Sequence, residues 1–461
     1  MSLPESAPTQ PPPRWRLGVA QVGAVIVGLV AAVGGIVSGR ADVVVMGLPL
    51  LALAAWAWDR RPHAAAPQGQ QPAPAAEGAL LAPLEVEVTA DAAALEATLG
   101  YRVRMTTPPG VEAVQLRVLE LGIRPRTHVL PAHPDRPIDV RGRVPAPHSG
   151  PQRIVIVDWR LIGTGAAVVA DVSEPRPVDR VIDPAFDPIG ALPLPHRLTG
   201  LTGAHDSSRP GDGGDFHDLA PFRPGDRLRR IDWKATARLA RDPGELYVRR
   251  TQAQADATVF LVLDTGDDLG TDVETWARFD PAGSGPTSLD IARSAASAIA
   301  AGFVRVGDRV GFADLGRPGR MVPPGAGTRH LDRVLRTIAA TGPVGAFHAS
   351  RRPPLVTNGA AVFMLSTFLD DRAATAAVRL AAAGHRVIGI DVLPSPDTTH
   401  LSSERRLAHR LVLMQRASRL ARLRAGGVEL LAWGAEREAP GRDADLMALA
   451  RPRRARPAAA R

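Results

Sequence analysis

The chain has 461 residues, of which 45% are hydrophobic and only 4% aromatic, enough for two or three domains with cores of Ala, Val, Leu and Ile. It contains no cysteine, which excludes disulfides, cysteine zinc sites and thiol nucleophiles. The formal charge is +9, but of 56 basic residues only Lys234 is a lysine, and the arginines are scattered as a coding bias would leave them, not gathered in the stripe a nucleic-acid binder needs.

Residues 1–13 are expected to be a disordered N-terminus. From Leu17 to Gly39 there is no charge, and only Gln21 and Ser38 are clearly polar, so the run meets the roughly 20 apolar residues that a bilayer core requires. A second apolar run, Val43 to Trp58, holds Pro49 and is joined to the first by Arg40-Ala41-Asp42. Together they predict a transmembrane helical hairpin over 14–61. Arg14 and Arg16 precede it, Arg60 and Arg61 follow it, and Trp15, Trp56 and Trp58 lie at interfacial depth. The positive-inside rule then places both chain ends in the cytoplasm of a multi-pass inner (plasma) membrane protein. A cleaved signal peptide is the competing reading, but its apolar core is usually about 7–15 residues and no second run follows it.

Residues 62–83, rich in Ala, Pro and Gln, read as a linker. Over 84–175 apolar and polar residues alternate, as in Leu84-Glu-Val-Glu-Val88 and Val114-Gln-Leu-Arg-Val118, which predicts antiparallel strands and a small β-sandwich. Residues 173–222 are irregular, with many Pro, Gly and Asp, and the region 176–257 holds the most distinctive block of the chain. Within them, His205 to Asp218 mixes His, Asp and Gly without the spacing of a calcium loop or zinc helix, and is expected to be a solvated loop. Residues 258–440 alternate strand and helix. Continuous apolar runs at Thr258–Leu263 and Ala361–Leu365 are the mark of parallel strands buried on both faces. Further strands at 309–312, 386–392 and 428–432 and helices at 289–303, 331–340, 373–383 and 405–424 complete a doubly wound α/β fold. Residues 441–461 are expected to be a disordered Arg-rich tail.

The distinctive block runs Phe222-Arg-Pro-Gly-Asp-Arg-Leu-Arg-Arg-Ile-Asp-Trp-Lys-Ala-Thr-Ala-Arg238, followed by Gly244-Glu-Leu-Tyr-Val-Arg249. Pro224-Gly225-Asp226 forms a turn, Asp232 is placed to cap a short helix, and Trp233 offers an apolar anchor. Arg229, Arg230, Lys234 and Arg238 surround the two aspartates. They make either a compact ion-pair network or a basic surface for an acidic partner or phosphate. The block resembles the motif of the bacterial family known as domain of unknown function 58, with Val181-Ile-Asp-Pro184 and Asp215-Phe216 similar to its lead-in residues. The resemblance implies a von Willebrand A-like α/β domain after the hairpin and β-rich spacer. It also implies a role as membrane-bound partner of a MoxR-type AAA+ ATPase, in protein maturation or envelope-related assembly.

It further implies a question about Mg2+, which such domains often bind through Asp-x-Ser-x-Ser at the strand ends, with a Thr and an Asp from other loops. Asp264 stands at the expected place, but Gly266 and Asp268 occupy the serine positions and Thr367 the later aspartate. Thr328 is the candidate threonine, and Asp267, Asp268 and Asp370 are candidates for a different divalent site; the alternative is a degenerate site that holds no metal. There is no P-loop, dinucleotide fingerprint or nucleophile elbow, so an adaptor is expected rather than an enzyme, with no small-molecule substrate and any ATP chemistry supplied by the partner. Two other readings compete: a divalent-metal phosphoester hydrolase using the aspartates, and nucleic-acid binding through the Arg-rich helix 405–424.

Overall fold

A computed structural model describes residues 14–59, 84–90, 98–120, 124–187, 189–190, 192–196, 198, 203–242, 244–276, 285–345, 354–434 and 442–450. The expected N-terminus 1–13, the linker 62–83 and the last part of the tail, 451–461, lie outside these residues. The chain forms two units, Met1–Pro147 with Arg153–Arg180, and His148–Gln152 with Val181–Arg461.

The first unit opens with a short strand, β1 (Trp15–Leu17), then two helices, α1 (Val19–Val37) and α2 (Ala41–Asp59). α1 is long and apolar enough to cross a membrane, a form shared by membrane anchors and signal sequences, whereas the apolar part of α2, Ala41–Trp56, is shorter and contains Pro49. Small residues let the two helices approach closely. A Cβ on Gly35 would lie 2.7 Å from the Val44 side chain, and one on Gly47 would lie 2.7 Å from the Gly28 carbonyl. The segment before α1 is not simply a basic flank, because Arg16 pairs with Asp171 at 2.8 Å and β1 joins a sheet.

The rest of this unit is antiparallel β: β2 (Leu84–Ala90), β3 (Thr98–Met105), β4 (Val111–Glu120), β5 (Arg126–Pro131), β6 (Ile138–Pro145), β7 (Gly150–Gly163), β8 (Val168–Ala170) and β9 (Arg176–Ile182). One sheet has the order β1-β8-β7-β4-β5 with β9 beside β7; the other is β2-β3-β6. Alternate residues of β3 and β4 are buried, as the period-two pattern requires. Tyr101 on β3 reaches the other sheet and donates its hydroxyl to Glu120 on β4 at 2.6 Å. Gly142, opposite it on β6, leaves room for the Tyr101 ring, which a Cβ would meet at 2.2 Å.

The second unit begins with β10 (His205–Pro221), α3 (Trp233–Leu239) and β11 (Tyr247–Ala255), where β10 and β11 pair antiparallel through several register shifts. The expected loop at 205–218 is therefore a strand. Its Gly and Asp residues have poor strand propensity, and pairing with β11 overrides it.

An α/β layer follows: β12 (Thr258–Leu263), α4 (Ser288–Arg305), β13 (Arg309–Asp314), β14 (Met321–Gly325), α5 (Thr328–Ala339), β15 (Ala361–Ser366), α6 (Asp371–Ala382), β16 (Arg386–Asp391), α7 (Ser403–Ala425), β17 (Glu429–Ala432) and α8 (Arg442–Ala450). The strand order is β14-β13-β12-β15-β16-β17, parallel throughout except for β14. All six residues of β12 are buried. Val259, Leu261 and Leu263 pack with α4, α5 and α8, while Phe260 and Val262 pack with α6 and α7. That two-sided burial is why the strand reads as an unbroken apolar run. α8 corrects the expected tail: residues 442–450 are helical, and Leu446 is buried in the core.

Candidate functional site at the sheet rim and the Pro-Gly-Asp block

β12 ends at Leu263, and the N–H of Asp264 donates to the Leu365 carbonyl at 2.9 Å, so Asp264 stands at the carboxyl ends of two neighbouring parallel strands. This is where open α/β sheets present ligand sites. The carboxylate, however, is only 8% exposed. Its Oδ1 accepts from the Gly266 N–H at 3.1 Å and its Oδ2 from the Ser366 hydroxyl at 2.7 Å. Burial, and then the charge of Asp370, push its pKa up to about 6.

Asp370 caps α6, accepting from the Arg372 N–H at 2.9 Å and from Arg372 Nε at 2.6 Å. The same guanidinium crowds Gly266, where a Cβ would fall 2.1 Å from it. Burial works against the charge on Arg372, but the hydrogen bond and charge of Asp370, with Asp264 and Asp267 behind, outweigh it and raise its pKa. Arg372 is thus the cation of the rim. Asp267 is raised by burial and by Asp370, and accepts a long hydrogen bond from the Thr367 hydroxyl (3.4 Å). Asp268 turns away and accepts from the Leu289 N–H at the start of α4 (3.3 Å), also raised chiefly by burial. Arg416 of α7 donates to the Thr367 carbonyl at 2.7 Å and pairs with Asp391.

Thr328 is not part of this rim. β14 runs back along β13, with Met321 opposite Ala313 and Gly325 opposite Val310, so α5 starts at the far end of the sheet. There His330 Nε2 lies 2.7 Å from the Val310 carbonyl. Beside Thr367, a second threonine at the rim is Thr265, whose hydroxyl donates to Asp314 at 2.6 Å. Mg2+ does not fit these residues: the Asp264 and Asp370 oxygens are taken by donors of the chain, and the expected threonine is at the wrong end of the strands. Among the described residues no group of three or more His, Asp or Glu is arranged to hold an ion.

A second charged cluster escaped sequence reading. Asp290, which forms a capping box with Thr287 at the start of α4, accepts from His148 Nδ1 (2.7 Å), Ser149 N (2.7 Å) and Ser149 Oγ (2.8 Å). The hydrogen bond to Asp290 raises the His148 pKa. Burial would lift Asp290, but its donors, His148 foremost, hold it lowered. Buried Arg293 closes the group by donating to the Ser149 and Thr341 carbonyls at 3.0 and 2.8 Å. Residues 148 and 290 are too far apart in the chain for any spacing rule to join them.

The Pro-Gly-Asp block is organised differently. Asp226 accepts from the Arg223 N–H at 2.9 Å and closes the turn, in which Gly225 has a positive φ of 103°. Asp232 is the N-cap of α3, accepting from the Ala235 N–H at 2.9 Å as its position predicts. Of the cations, Arg250 lies 4.0 Å from Asp226, and Arg249 stacks over the Phe216 ring at 5.4 Å. Arg229, Lys234 and Arg238 are exposed and have no ion-pair partner among the described residues. Of the four cations named with the two aspartates, these three thus leave their charge at the surface. Trp233 is 68% exposed and Leu228 70%. The Arg-rich helix α7 is the reverse case: Arg405 pairs with Glu274, Arg416 with Asp391, and Arg419 and Arg422 with Asp371.

Residues 218–401, from the end of β10 to just short of α7, match the family described as "Protein of unknown function DUF58". No solved structure matches the chain. Uncharacterized proteins of Mycobacterium bovis and of two strains of Mycobacterium tuberculosis are 31% identical over 217 residues, 45% of this chain. The aligned part spans 63% of the length of these relatives.

Proposed function

We propose that the protein is a membrane-anchored adaptor that presents a von Willebrand A-like domain in the cytoplasm to a MoxR-type AAA+ ATPase, in protein maturation or envelope-related assembly. The observation that carries this reading is the contrast in how charge is used. The rim carboxylates are consumed by donors of the chain, above all Arg372, while the block leaves cations and a tryptophan turned outward. Such an arrangement suits recognition better than turnover. The apolar helix α1 supports the anchor, and the close packing of α2 against it supports a two-helix hairpin with both chain ends inside the cell. Pulling the full chain from crosslinked membranes in detergent should recover an AAA+ ATPase when ATP is present and lose it when ATP is removed. Repeated recovery of none would sink the proposal. The phosphoester hydrolase reading meets a guanidinium where its metal would stand; calorimetric binding of Mn2+ to the purified chain would revive it.

A further inference from the structure

We infer that the outward face of α3 and the turn before it is a docking surface for an acidic protein segment carrying an apolar side chain. Three observations converge on that chemistry. Between Phe216 and Thr251 the sequence has nine cations against five carboxylates. Of those carboxylates, Asp226, Asp232 and Glu245 are already engaged with backbone N–H groups of the same module. The uncompensated charge is therefore positive, and Arg229 and Lys234 carry it beside the exposed Leu228 and Trp233. Finally, the surface is shallowly concave: an open cleft of about 480 Å³ is lined by Arg229, Arg230, Trp233 and Arg249, and by Asp232, whose carboxylate is engaged in capping α3. A lone inorganic anion would leave Trp233 and Leu228 in water. A flat lipid surface would not fill a cleft, and bases stacked on Trp233 would leave the aliphatic Leu228 and Leu239 beside it uncovered. A segment with carboxylates around one bulky apolar residue satisfies both the charge and the exposed apolar area, with the aromatic as anchor. The inference stands whether or not the partner is an ATPase.

The test uses the full chain in detergent and fluorescence anisotropy. The probes are a fluorescein-labelled peptide of Glu-Leu-Glu-Glu repeats, its counterpart with Gln for Glu, a labelled single-stranded oligodeoxynucleotide, and a fluorescent short-chain phosphatidylglycerol. The acidic peptide should bind, more weakly as salt is raised, and Trp233→Ala or Lys234→Glu should each weaken it at least about tenfold. The Gln peptide should bind at least about tenfold more weakly than the Glu peptide. Melting curves establish that each variant folds; if Trp233→Ala does not, Leu228→Ser on the same face takes its place. The inference is overturned if the variants bind as wild type, if the Gln peptide binds equally well, or if no acidic-peptide binding is seen up to about 1 mM. It is equally overturned if the oligonucleotide or the lipid binds more tightly and loses that binding with the same substitutions.

Discussion

Two regions of the second unit carry dense charge and treat it in opposite ways. At the sheet rim, Asp264, Asp267 and Asp370 are drawn around the guanidinium of Arg372, and the carboxylate of Asp264 is buried. In the block around α3, the aspartates close a turn and cap a helix, and Arg229, Lys234 and Arg238 face solvent with Trp233. Charge that is buried and neutralised within the chain holds an architecture together; charge left exposed beside apolar side chains is available to something else. The difference separates positions whose replacement should alter stability from positions whose replacement should alter binding.

The sharpest way to break this contrast is Arg372→Ala. It strands the rim carboxylates, and removing one partner of such a pair should cost about 3 kcal/mol of unfolding free energy in denaturant titration at neutral pH. Added Mg2+ should restore part of that loss in the variant and leave the wild type unchanged; stabilisation of the wild type by Mg2+ would contradict the assignment of Arg372 as the resident cation.

Asp264→Asn should act in the other direction. A carboxyl whose folded pKa of about 6 exceeds its ordinary value of 3.8 favours the folded state when protonated, so wild-type stability falls as pH rises between those values. The amide can still accept from Gly266 N–H, and the variant should gain about 1–2 kcal/mol at pH ~7 and lose that part of the pH dependence. A variant less stable than wild type at neutral pH would refute it.

His148→Gln should have a smaller effect. Since Asp290 raises the His148 pKa, its contribution is complete below the ordinary histidine value of 6.5 and disappears as pH rises through the higher folded value. The variant should therefore lose about 1 kcal/mol in mildly acidic buffer and nothing at high pH. Equal losses at both pH values would mean that protonation has no part in it. Smallest of all, Lys234→Gln should leave the melting transition within about 0.5 kcal/mol of wild type, because its ammonium pairs with no carboxylate among the described residues.

The α/β layer was legible in the sequence because its strands are buried on both faces and so appear as apolar runs; Thr258–Leu263 and Ala361–Ser366 lie where those runs lie. The N-cap role of Asp232 was equally readable, being a local contact three residues long. β14 was not, since Met321-Val-Pro-Pro-Gly325 has prolines that only an edge strand tolerates. With β14 missing, the direction of the chain into α5 was lost, and Thr328 was assigned to the wrong end of the sheet. Arg372 follows Asp370 by two residues, yet in a chain so rich in arginine one more carried no signal. The His148 to Asp290 contact bridges positions 142 residues apart, which only the fold brings together.

The two borders of the parallel sheet have a consequence of their own. On one side lies β14 with Pro323 and Pro324, neither of which has an amide hydrogen to offer. On the other, β17 is four residues long, packs against α8, and is tied to it by Arg386, which bonds both Glu429 and the Leu449 carbonyl. Both margins are blunted against a foreign strand, by prolines on one side and by shortness on the other, which disfavours the edge-to-edge stacking by which sheet proteins aggregate. An associate is better placed to read its side chains than to borrow its backbone.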